Sequence, residues 1–203
     1  MIAIADYKAG NLRSVQRACH AVGAQAEITP DPEIISAAER VIFPGVGTAP
    51  SAMQTLNETG LADALREVQQ KGTPLMGICL GTQIILEHSE EGNTDCLGLL
   101  EGKVTRFRVQ DPALKIPHIG WNAVHFQKQH DVLKDIPNDV EFYFVHSYHP
   151  SGLAEDEVLA TTEYEEVFPS VLARDNVFAT QFHPEKSGRY GLQLLSNFLN
   201  WRP

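Results

Sequence analysis

An apolar run, Leu75 to Ile78, ends on Cys79, which stands between two glycines in Gly77-Ile78-Cys79-Leu80-Gly81. From Leu80 the apolar pattern becomes helical through Ile84, Ile85 and Leu86. A strand that turns abruptly into a helix around a glycine-framed nucleophile has the pattern of a nucleophile elbow, with sulfur replacing oxygen. Such a turn holds its middle residue in a strained conformation, and the flanking glycines relieve crowding against neighbouring strands. The side chain is presented above a sheet edge, near the positive end of the following helix, a field that favours thiolate over thiol. The turn also exposes the Leu80 N–H as a donor for an oxyanion. A second donor is available from the turn Gly45-Val46-Gly47 that follows the apolar strand Val41 to Phe43. Losing one such donor typically costs ~2.7–4 kcal/mol of transition-state stabilisation. Taken alone, the motif also fits a small buried core cysteine.

The rest of the chain supplies a fold for this turn. Ile2 to Ala5, Ala26 to Ile28 and Val41 to Phe43 read as strands. They alternate with helical stretches at Asn11 to Val22, Glu33 to Ala38, Pro50 to Asn57 and Leu61 to Lys71. That alternation indicates βαβ units and a parallel sheet. In the second half the strand pattern dominates, at Val104 to Val109, Ala123 to Phe126, Glu141 to Val145, Val158 to Thr161, Val171 to Ala173 and Val177 to Gln181. A helix over Tyr190 to Phe198 closes the chain. The expectation is a single α/β domain over residues 1–203: a mixed, mostly parallel central sheet flanked by helices, with an antiparallel strand-rich addition packed beside it. At 203 residues a second full domain would be cramped.

The formal net charge of −10 repels phosphate backbones, which disfavours nucleic-acid binding. The densest basic patch, Lys103, Arg106 and Arg108 with Lys115 further on, fits a solvated strand face. Three cysteines without CxxC spacing argue against a disulfide framework or zinc ribbon, and Cys19 and Cys96 read as structural. The N-terminus lacks a basic lead-in and no apolar run approaches the ~18 residues of a membrane span, so the expected location is cytoplasmic.

Of the eight histidines, His183 stands apart because it ends the run from Val177 to Phe182 and precedes Pro184 and Glu185. In an extended chain, side chains two apart share a face, and the intervening proline stiffens that relation. A carboxylate on one imidazole nitrogen sets the tautomer and leaves the other nitrogen to take the thiol proton. His-Pro-Glu alone equally fits a surface turn. His20, His88, His125 and His130 read as solvated; His118, His146 and His149 adjoin motifs of their own. With no HExxH and no metal-ligand spacing, neither a metal nor a cofactor is expected.

Together, GICLGTQ around Cys79 and QFHPEKS around His183 and Glu185 resemble the class I (triad) glutamine amidotransferases over essentially the whole chain. Asp6-Tyr7-Lys8-Ala9-Gly10-Asn11-Leu12, Pro44-Gly45-Val46-Gly47, Pro117-His118-Ile119-Gly120-Trp121-Asn122 and Phe144-Val145-His146-Ser147-Tyr148 are similar, within that class, to the glutaminase subunits of imidazole glycerol phosphate synthase. The resemblance implies Cys79, His183 and Glu185 as a triad. It implies Gly47, Leu80, Gln83, Ser147 and Tyr148 around a glutamine substrate, and Val46, Gly47 and Leu80 at the oxyanion. Asn11, His118, Trp121, Asn122, Tyr143 and Lys186 are then partner-facing, and the partner is a cyclase subunit, a (β/α)8 barrel, in a heterodimer. Trp121 also suits a core position. Lys8 stands where glycine is common in the family, and Thr82 where methionine is common. Alternatives are a glutaminase subunit of another amidotransferase, a stand-alone cysteine peptidase or thioesterase, and a non-catalytic regulatory subunit.

Overall fold

The computed structural model describes all 203 residues. Its first half runs β1 (Ile2–Ala5), α1 (Leu12–Ala21), β2 (Ala26–Thr29), α2 (Pro32–Ser36), β3 (Arg40–Gly45), α3 (Ala49–Thr59), α4 (Leu61–Gln70), β4 (Leu75–Cys79) and α5 (Leu80–Ile84). The second half adds β5 (His88–Ser89), β6 (Thr94–Asp95), β7 (Lys103–Arg106), β8 (His118–Phe126), β9 (Val140–His146) and β10 (Tyr148–Ser151). It ends with β11 (Val158–Tyr164), β12 (Glu166–Arg174), β13 (Val177–Thr180) and α6 (Gly188–Asn200).

A nine-stranded sheet, ordered β2-β1-β3-β4-β13-β12-β11-β8-β9, forms the centre. From β2 to β13 every neighbour is parallel; from β12 to β9 every pairing is antiparallel. The α/β fold with a parallel core and an antiparallel second half is therefore as expected. The antiparallel strands, however, continue the same hydrogen-bonded sheet rather than packing beside it. A second, four-stranded sheet, β10-β7-β5-β6, lies alongside.

Alternation along the parallel strands builds two cores. Ala3, Ala5, Val41, Phe43 and Leu75 face α3, α4 and α5, whereas Ile4, Ile42, Met76 and Ile78 face α1 and α6. Asp31 caps α2 by accepting the Glu33 N–H at 2.9 Å, and Gly60 separates α3 from α4 at φ 77°. No helix is long and apolar enough to cross a membrane.

Four local expectations are corrected. Pro44 and Gly45 belong to β3, because they pair with Ile78 and Cys79 of β4. β8 begins at His118, not Ala123, since β9 offers it partners from His146 onward. β7 stops at Arg106, where its partner β10 begins at Tyr148. His130 is half-buried rather than solvated, and its ring accepts the Val132 N–H at 3.1 Å.

Candidate active site

Three adjacent parallel strands deliver the chemistry to one edge. Gly45 at the end of β3 is in register with Cys79 at the end of β4, and Thr180 at the end of β13 is in register with Ile78. The chain beyond each strand therefore carries Val46-Gly47, the elbow and His183 to the same place, outside the carboxyl ends of the strands.

Cys79 has φ 55° and ψ −107°, an unfavourable backbone for a residue with a Cβ. The glycines explain how it fits. A Cβ on Gly81 would lie 1.8 Å from the Phe43 carbonyl oxygen, and one on Gly77 would lie 3.2 Å from Ala179 Cβ and from the Thr82 backbone. Thr82, a departure from the family pattern, donates its hydroxyl to the Thr180 carbonyl at 2.6 Å and ties α5 to β13. Lys8, the other departure, adopts φ 65°, where glycine is favoured.

His183 donates or accepts at Nδ1 with Glu185 Oε1 at 2.8 Å; with a carboxylate opposite, Nδ1 is the donor. Both side chains are buried, Glu185 to 0% exposure. Pro184–Lys186 forms a 3-10 turn rather than the extended segment expected, so the turn, not strand alternation, brings His183 and Glu185 together. Ser187 holds this turn against β9: its hydroxyl donates to the His183 carbonyl at 2.6 Å and accepts the Tyr143 N–H at 3.0 Å. Nε2 has no hydrogen-bond partner and is left free on the side facing Cys79. Burial alone would lower the His183 pKa, but the facing Cys79 and the bond to Glu185 outweigh it and raise it to about 10. The arrangement favours a protonated imidazole at His183, facing Cys79.

A cavity of about 260 Å³ opens over Cys79. Val46, Gly47, Leu80, Gln83, Ser147 and Tyr148 all line it, so every residue expected around substrate and oxyanion is gathered there. Leu80 is the first residue of α5, so its N–H has no partner within the helix. Gly47 has φ 116°, a conformation open to glycine alone. The cavity wall also carries Glu91, which the sequence reading did not single out. Glu91 Oε2 accepts the Ala49 N–H at 2.7 Å, which fixes its carboxylate beside the cavity. Tyr7 was likewise missed: its buried hydroxyl packs against Gly45 and has no protein hydrogen-bond partner. Burial and the nearby Cys79 push its pKa well up.

The residues expected to face a partner divide. Trp121 is 53% exposed, Tyr143 is its cross-strand neighbour at 6.2 Å between rings, and the Lys186 ammonium lies 5.6 Å from the Tyr143 ring. Ile119, on the same side of β8 as Trp121, is 59% exposed. Asn122 is half-buried and donates to the Glu163 carbonyl at 2.8 Å. Asn11 instead donates its side-chain amide to Glu185 Oε1. His118 is corrected outright: its ring is buried at 3% exposure, stacked between Phe144 and Tyr164, and offers no surface to a partner.

A glycine-framed cysteine at a parallel-sheet edge, backed by a buried His–Glu pair, defines a class of cysteine-dependent acyl-transfer enzymes. The family model described as glutamine amidotransferase class-I matches residues 3–201, and the chain belongs to that family. Within it the chain groups with the HisH subunits of imidazole glycerol phosphate synthase. It is 47% identical over 210 residues to the subunit HisH from Nitrosomonas europaea, covering 100% of this chain and 99% of that one. It is 48% identical over 206 residues to HisH from Herpetosiphon aurantiacus, covering 98% and 93%. Among solved structures, a glutamine amidotransferase superposes with a TM-score of 0.74 at 22% identity, covering 98% of this chain and 97% of that one. PurLQS from Thermotoga maritima gives 0.74 at 17% identity over the same shares, a likeness of fold.

Proposed function

We propose that the chain, as one amidotransferase domain over residues 1–203, hydrolyses L-glutamine to glutamate and ammonia and delivers the ammonia to a cyclase subunit in histidine biosynthesis. The observation that carries this reading is Cys79 at the base of a small cavity with the buried His183–Glu185 pair, 2.8 Å apart, behind it. His183 takes the Cys79 proton, and the thiolate attacks the side-chain amide carbon of glutamine. The oxyanion meets the Leu80 N–H and the Val46–Gly47 turn. Ammonia leaves with a proton from His183, and water activated by the same imidazole cleaves the thioester to glutamate. Every proton is accounted for by one histidine, and no step calls on a cofactor. The Glu91 carboxylate on the cavity wall is placed to receive the α-ammonium of the substrate.

Ammonia released to neutral water is protonated and loses its nucleophilicity, so the product has to pass directly to an acceptor. The strip of exposed Ile119, Trp121 and Lys186 with half-buried Tyr143, beside the triad turn, supports a docking face for a (β/α)8-barrel cyclase in a heterodimer. Asn11 and Asn122 serve that face from behind, through their bonds to Glu185 and β11. A diazoketone that mimics glutamine tests the site assignment. It is expected to alkylate Cys79 alone, read by peptide mass; labelling of Cys19 or Cys96 with Cys79 untouched would overturn it.

A further inference from the structure

The glutamine pocket has a wall of its own making. His146, at 5% exposure, lines it, and His118, at 3%, sits behind, the two rings packed among Phe107, Phe144, Tyr164 and Phe168. Apolar rings of similar shape would fill such a place without any polar atoms to satisfy. Yet each imidazole uses both nitrogens. His146 Nδ1 lies 2.8 Å from the Tyr148 carbonyl, which can only accept, so Nδ1 carries the proton and Nε2 is an acceptor. His118 Nδ1, 3.0 Å from that Nε2, is therefore a donor, and His118 Nε2 accepts in turn from Asn122 Nδ2 at 3.3 Å. The Asn122 amide is itself oriented by the backbone: Oδ1 accepts the Ala123 N–H and Nδ2 donates to the Glu163 carbonyl, both at 2.8 Å.

The chain does not stop at Tyr148. The same carbonyl accepts Gln83 Nε2 at 2.8 Å, and Gln83 also donates to Gln181 Oε1 at 3.1 Å. Gln181 Nε2 reaches the Cys79 sulfur at 3.9 Å. From Asn122 through His118 and His146 to the Tyr148 carbonyl the donors all point one way, and an added proton on either ring would set two N–H groups against each other. Burial agrees: it lowers the His118 pKa to about 4 and holds His146 well below the ordinary imidazole range.

We propose that His118 and His146 are positioning residues of the glutaminase reaction, forming a one-directional hydrogen-bond chain from Asn122 on β8 to the Tyr148 carbonyl that holds Gln83 and Tyr148 in place to bind glutamine. The proposal rests on the glutaminase reading above. Because the chain supports bound substrate rather than the reacting atoms, its loss raises KM and spares kcat.

The test uses the complex with the cyclase subunit and compares His118→Phe, His146→Asn and His146→Gln. Phenylalanine at 118 keeps the aromatic packing but removes both nitrogens. Asparagine at 146 preserves a donor at the Nδ1 position, and glutamine preserves only the Nε2 position. Expected are a rise of about tenfold in the glutamine KM for His118→Phe with kcat within about threefold, and a KM for His146→Asn closer to wild type than that of His146→Gln. A folded His118→Phe with an unchanged KM overturns the proposal, as does a fall in thermal stability without a change in KM. Equal KM values for the two His146 variants overturn it too; should both fail to fold, His118→Phe alone decides. Absence of glutamine hydrolysis in the wild-type complex would instead overturn the glutaminase reading.

Discussion

Asn11 and His183 share one acceptor: the Asn11 side-chain amide and the His183 Nδ1–H both bond to Glu185 Oε1, across 174 residues of sequence in the case of Asn11. Asn11 sits at φ 76°, a left-handed conformation that asparagine tolerates, immediately before α1. It therefore helps to fix the carboxylate that holds the His183 ring.

A graded series follows. Asn11→Gly keeps the left-handed backbone and removes the amide; a hydrogen bond to a charged group is worth about 1.5–3 kcal/mol, so turnover falls roughly ten- to a hundredfold. Glu185→Gln costs more, and His183→Ala the most, because it removes the group that moves protons. Glutamate release at saturating glutamine ranks the three, and a neutral Glu185→Gln would contradict the triad.

The His183 proton provides a second check. Its pKa is raised from an ordinary value near 6.5 to about 10, against the effect of burial, by Cys79 and Glu185. A group raised on folding stabilises the folded state fully below about 6.5, and that contribution is lost as pH rises towards 10. Cys79→Ala removes the facing sulfur, so the imidazole should lose its proton at a lower pH. Nitrogen NMR of the ring measures both, and identical titrations would contradict the pairing.

Much of this site was legible in the sequence, and the limits have physical causes. Gly77 and Gly81 pointed to a crowded turn because only a missing Cβ fits there, and the structure puts the Phe43 carbonyl in that space. Continuous apolar runs such as Val41 to Phe43 and Leu75 to Ile78 became central strands since both faces are buried. Glu91 was not legible: within Ser89-Glu90-Glu91 it looks like a solvated charge until the Ala49 N–H fixes it. The Asn11–Glu185 bond and the start of β8 at His118 depend on partners far along the chain, where no local pattern reaches. The resemblance assigns the whole segment His118 to Asn122 to the partner face, but alternation turns the His118 ring inward and leaves Ile119 and Trp121 exposed.

Gly81 supplies the stability prediction. Gly81→Ala places a Cβ against a backbone carbonyl at 1.8 Å, and the obstacle cannot rotate away. Overpacking of this kind costs about 1–3 kcal/mol or more, so the denaturation midpoint should fall clearly. An unchanged midpoint would mean that β3 and α5 are further apart than the structure has them.

Glu91 should act on binding. Glu91→Gln keeps the size and an acceptor for the Ala49 N–H but removes the charge offered to the substrate ammonium. The glutamine KM is expected to rise about tenfold or more with a smaller change in kcat. Equal effects on glutamine and on an analogue lacking the α-amino group would exclude ammonium recognition.

The most direct measurement compares Cys79→Ala with wild type in the complex with the cyclase, supplied either with glutamine or with ammonium salts. If Cys79 generates the ammonia that the partner consumes, the variant loses glutamine-dependent synthesis and retains ammonium-dependent synthesis at the wild-type rate. Substantial glutamine-dependent synthesis by Cys79→Ala would contradict the account.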